Sequence, residues 1–129
     1  MSNVQGGSQQ IDIFDELSMD SDSLFVFSLI QKRRGRDHAI SVADISESTG
    51  IPPRVVRDIV KHLIECHAIR IGSALSAPSG YYMIETMEEA EQNEQTLRRL
   101  GISILTRAAV LKKLTVAEYI REIQGELGL

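Results

Sequence analysis

The chain has no tryptophan, three phenylalanines, three tyrosines and one cysteine. With so few aromatics, a core has to be assembled from isoleucine, leucine and valine. The lone Cys66 excludes an internal disulfide framework and favours a reducing compartment. No apolar run is long enough to span a bilayer. The stretch from Met1 to Ser8 lacks the basic and apolar regions of a signal peptide, so a cytoplasmic location is expected. Neither a phosphate-cradling glycine loop nor a Gly-x-Ser-x-Gly elbow occurs, and no enzyme is expected.

What is present suits one ordinary domain: 129 residues, 43% of them apolar and 25% charged. The net charge of −4 does not by itself suggest a nucleic-acid partner, so the location of charge matters more than its total. Residues 1–19 carry a net −3, residues 20–85 are neutral, and residues 86–129 carry −1. Basic residues cluster at Lys32, Arg33, Arg34 and Arg36, and again at Arg54, Arg57 and Lys61.

Residues 1–19 are expected to be a flexible segment, in which Ile11, Ile13, Phe14 and Leu17 form a short stretch able to dock. A first helix starts at Asp20 or Ser21 as cap, turns Leu24, Phe27 (or Phe25), Leu29 and Ile30 inward, and ends by Gly35. His38 to Ile40 is a candidate short strand. Ser41 with Asp44 three residues on is a capping signature. It opens a helix over 42–49 with Val42 and Ile45 inward and Ala43 as a third candidate, closed by Gly50. After Ile51-Pro52-Pro53 a helix over 53–66 carries Val56, Ile59, Val60 and Leu63 on one stripe. Ala68 to Gly72 and Tyr81 to Ile84 read as the strands of a hairpin, with one tyrosine in the core and one at the surface. Thr86 and Thr115 each precede a glutamate by three residues, and so open a long helix to about Lys113 and a last helix.

The stretch "ADISESTGIPPRVVRDIVKHLIECHAIRIG", followed by the Gly-Tyr strand and "IETMEEAEQNEQTLRRLGISILTRAAVLKKL", resembles the winged helix-turn-helix family, in particular small bacterial and prophage-type regulators. The likeness is close over about half the chain and looser elsewhere. It implies a mainly α fold with a small β-hairpin, a winged-helix domain over 20–85 and a helical dimerisation extension over 86–129. It also implies double-stranded DNA as partner, a transcriptional role, and helix 53–66 as the recognition helix. The chain departs from the pattern where the residue after that helix is usually glycine and is here His67.

With the apolar stripe inward, Arg54, Val55, Arg57, Asp58 and Lys61 form the exposed set. Arginines in the N-terminal half suit base edges, since each can bond both acceptors of guanine. Val55 suits a thymine methyl, Lys61 a phosphate, and Asp58 the orientation of an arginine. Ser41 and the amide of Val42 stand where a helix start can meet a phosphate. Arg33, Arg34 and Arg36 read either as phosphate contacts or as a solvated helix end. The hairpin loop from Ser73 to Gly80 contains no charge, so its contact with DNA is left open.

Leu97, Gly101, Ile104, Ala108 and Leu111 follow the spacing of a helix-packing seam, with Leu100 and Leu105 beside it. Together with Ile120 and Ile123 they are expected to form a homodimer interface. The alternative is that the last helix folds back and covers the seam within one chain. A protein–protein interaction module without DNA contact is the rival function, favoured by the acidic balance and the uncharged loop. His62 and Cys66 share a helix face, but a structural zinc needs four ligands, and a partly buried thiol beside an exposed histidine is the preferred reading. No metal or cofactor is expected, and no small-molecule effector is assigned.

Overall fold

The fold, taken from a computed structural model, is described for residues 19–128. The segment 1–18, with its expected docking stretch at Ile11, Ile13, Phe14 and Leu17, lies outside the described residues. Met19, grouped with that segment on sequence, belongs instead to the core and is buried. The described residues form five α-helices and one two-stranded antiparallel sheet.

Helix α1 (Ser21–Gln31) begins where Asp20 Oδ1 accepts the N–H of Ser23 at 2.8 Å. Its inward stripe is Ser23, Val26, Phe27 and Ile30, the i, i+3, i+4, i+7 pattern of a one-sided helix. Leu24 was expected on that stripe and stands exposed with Phe25, about one residue's turn of 100° away from it.

Helix α2 (Val42–Thr49) is capped by Ser41, whose Oγ accepts the N–H of Asp44 at 3.0 Å. It closes at Gly50 with φ of 77°, a left-handed conformation that a side chain would strain. Helix α3 (Pro53–His67) follows at once, and its buried residues are the expected Val56, Ile59, Val60 and Leu63. The helix closes on Ala68, which adopts the left-handed conformation and donates its N–H to Ile64 O at 3.1 Å. The glycine missing at His67 is therefore missing from a position that does not need one.

Strand β1 (Ile71–Ala74) pairs with β2 (Gly80–Met83), with Ile71 opposite Met83. The first strand thus begins three residues later than the sequence pattern suggested, although Ile69 is buried and Arg70 exposed as the alternation implied. The far edge of β2 is also occupied. Met83 N donates to Arg33 O and Gly35 N to Met83 O, at 2.7 and 2.9 Å, while Ile40 and Tyr81 exchange two bonds of 2.9 Å. The expected strand at His38–Ile40 shrinks to that single Ile40 bridge, because Arg36–His38 winds into a 3-10 turn. Both tyrosines turn inward, against the expectation of one at the surface: Tyr82 lies across Gly72, and Tyr81 is half-buried against the main core.

Helix α4 (Met87–Leu111) starts with Thr86 Oγ1 accepting from Glu89 N at 3.1 Å. The chain divides into two compact units inside this helix, after Ala90. The first unit holds α1 to α3 and the sheet around one aliphatic core of Val26, Ile30, Ile45, Val56, Val60 and Leu63. In the second unit, helix α5 (Val116–Leu127) carries a full capping box between Thr115 and Glu118. Helices α4 and α5 meet at their shared corner, where Ala109 is buried and Lys112 Nζ lies 3.0 Å from Glu122 Oε1. Among the described residues, no helix is long and apolar enough to cross a membrane.

Candidate nucleic-acid interface

A helix can show a ligand only the side its core does not use, and α3 uses one side fully. The residues opposite its buried stripe are Arg54, Arg57, Asp58, Lys61, His62 and Glu65, all exposed. Among the described residues, Arg54, Arg57 and Lys61 enter no ion pair. Val55, grouped with this set on sequence, is instead half-buried against the core, because it stands at the flank of the stripe.

Asp58 sits at the margin of the exposed face. With Met19, Asp20, Ser23, Ile59 and His62 it lines an open depression of about 320 Å³ between α3 and the start of α1. The Asp20 carboxyl there is held below its usual range by the backbone N–H and then the hydroxyl of Ser23, with a smaller contribution from His62. Arg57 lies at the other margin, near β2. Burial pushes the Tyr81 phenol above its usual pKa, and the Arg57 guanidinium opposes that rise. The phenol and the guanidinium are therefore close enough to feel one another.

Ser41 stands where α2 meets the hairpin. Gly80 has φ of 125°, and a Cβ there would run into the carbonyl of Ile40 and the Cα of Ser41. This close approach presses the base of the hairpin onto the cap of α2.

The three arginines after α1 separate into different roles. Arg33 is exposed and its carbonyl serves β2. The Arg34 Nη1 is 3.3 Å from Glu85 Oε2, so its charge is partly balanced. Arg36 is half-buried and anchored at its tip by three hydrogen bonds. Nη1 donates to Pro78 O at 2.8 Å, and Nη2 to Ser76 O at 2.7 Å and Ser76 Oγ at 2.9 Å. Its backbone N–H donates to Glu89 Oε2 at 2.9 Å. The hairpin loop, uncharged in sequence, thus carries a guanidinium supplied by a residue about forty positions earlier. No sequence signal marks that reach. Leu75, in the same loop, is 96% exposed.

The expected dimer residues lie in the second unit or at its start. Leu97, Ile104 and Leu111 are 66%, 51% and 84% exposed, and Leu100 is exposed beside them. Gly101, Leu105, Ala108, Ile120 and Ile123 are half-buried.

Cys66 is exposed rather than partly buried, and the His62 and His67 rings stand edge to face with centroids 5.3 Å apart. Among the described residues, no three histidine, cysteine or carboxylate side chains gather to hold a metal. Compared with family models, curated proteins and solved structures, the chain matches none of them.

Proposed function

We propose that this protein is a homodimeric winged helix-turn-helix regulator that binds double-stranded DNA with α3 in the major groove. One observation carries the reading: Arg54 and Arg57 project from the first half of α3 and Lys61 from the turn after them, all three exposed, free of ion pairs among the described residues, and on the side away from a buried stripe. In this reading Arg54 and Arg57 address base edges, Lys61 a phosphate, and the hydroxyl and amides at the start of α2 a second phosphate. The exposed apolar face of α4 supports pairing of two chains, which brings two copies of α3 to a two-fold site.

The test is anisotropy of a labelled duplex against the full chain at about 50 and 200 mM salt. Binding at the lower salt that weakens with Arg54→Gln and Arg57→Gln supports the reading. No binding to any duplex at the lower salt ends it. Leu75, nearly fully exposed in the hairpin loop, favours a second reading, an interaction module for another protein. That reading requires the cellular activity to survive Arg54→Glu with Arg57→Glu and to be lost with Ile104→Asp.

A further inference from the structure

Cations supply the salt-dependent part of phosphate binding, and residues 73–80 of the hairpin contain none. We infer that Arg36 is the phosphate-binding residue of the hairpin, delivered to it across the fold. The inference rests on the DNA-binding reading above and adds a contact to it.

Three hydrogen bonds hold the Arg36 guanidinium to Ser76 O, Ser76 Oγ and Pro78 O. These acceptors are neutral, so they fix the position of the charge without cancelling it. Arg34 is the contrast two residues earlier, since Glu85 balances it at 3.3 Å. The acidic residue that does touch Arg36, Glu89, bonds its backbone N–H. The guanidinium enters no ion pair among the described residues. A guanidinium has five N–H donors, and the three bonds to the loop use one on Nη1 and both on Nη2, which leaves Nε–H and one Nη1–H, either of which can donate to a phosphate oxygen. A pre-positioned arginine loses little side-chain freedom on binding, unlike a long side chain free in water.

The experiment measures duplex affinity of the full-length chain against salt, from about 50 to 200 mM, using a short labelled duplex of mixed sequence. Each phosphate contact contributes about 0.9 to the slope of log K against log salt. Arg36→Gln is expected to flatten the slope by about 0.9, and so to weaken binding about five-fold near 0.15 M salt. Arg34→Gln is expected to flatten the slope less than Arg36→Gln, because Glu85 partly balances its charge, and Ser76→Ala to keep the parent's slope, because it removes no charge. Circular dichroism checks that each variant is folded. An Arg36→Gln slope equal to the parent's overturns the inference. A Ser76→Ala variant that loses as much affinity and slope as Arg36→Gln also overturns it, by reducing Arg36 to a brace. If the parent binds duplex and Arg54→Gln weakens it while Arg36→Gln does not, this inference fails alone. If the parent binds no duplex at all, both readings fail.

Discussion

The backbone N–H of Arg36 donates to Glu89 Oε2 at 2.9 Å, so one carboxylate ties the loop after α1 to the first turn of α4. The other oxygen of Glu89 accepts from Glu85 N at 2.8 Å and from Thr86 N at 3.4 Å. Burial raises the pKa of this carboxyl, but the three backbone N–H groups of Arg36, Glu85 and Thr86 outweigh it and leave it below the usual range. A depressed carboxyl contributes stability that is present above its unfolded pKa, near 4.5, and is lost as pH falls through the folded value. Glu89→Ala should therefore cost about 1 kcal/mol at neutral pH, the ordinary worth of a helix cap. The difference from the parent should shrink as the pH falls below about 4.5 and the carboxylate of Glu89 becomes protonated. Thermal melts of both chains between neutral and acid pH measure it.

Gly80→Ala should be among the most damaging single changes in the first unit. The added methyl meets the backbone of Ile40 and Ser41, and a φ of 125° is strained for any side chain. A loss of about 2–3 kcal/mol is expected, the scale of a strained backbone site, with faster hydrogen exchange at Tyr81 and Ile40. Gly50→Ala is the control. It is also left-handed, but its added methyl meets nothing within 4 Å, so about 1 kcal/mol is expected. Equal losses at both positions would falsify the close approach of the hairpin to α2.

Arg57 and Tyr81 can be tested without DNA. Burial raises the phenol's pKa above 10.0 and Arg57 restrains the rise, so Arg57→Gln should move it further up. A raised phenol contributes stability that is complete below pH 10 and is lost as pH rises through the folded value. Site-resolved NMR titration of the tyrosine rings reads the shift. An unchanged Tyr81 titration in Arg57→Gln means that the two side chains do not approach one another.

The apolar face of α4 predicts association. The parent should sediment at twice 14.3 kDa, and Ile104→Asp should sediment as a monomer with its helical signal intact. A parent that stays monomeric across the concentration range of DNA binding removes the dimer from the proposal.

Helical structure was largely legible from sequence, because its determinants lie within four residues of one another. The caps at Asp20, Ser41, Thr86 and Thr115 and the stripe from Val56 to Leu63 appear as read. The face of α1 was harder. It contains Leu24, Phe25, Val26, Phe27, Leu29 and Ile30 in nearly unbroken order, so several stripes fit, and only packing selects Val26 over Leu24. The start of β1 was misjudged because Ile69 is buried without belonging to a strand. Alternation reports burial, not hydrogen bonding. Within the candidate site, the cations of α3 could be read from spacing. The reach of Arg36 to Ser76 and Pro78 could not, because a long side chain finding carbonyls about forty residues away leaves no mark in local composition.

Strand β2 has neighbours on both margins, β1 on one and the Arg33–Gly35 stretch with Ile40 on the other. No vacant row of amides along it can recruit a foreign chain, the route by which small sheets run on into fibres. Growth of the sheet by a strand added beside β2 is thereby blocked by the chain's own backbone.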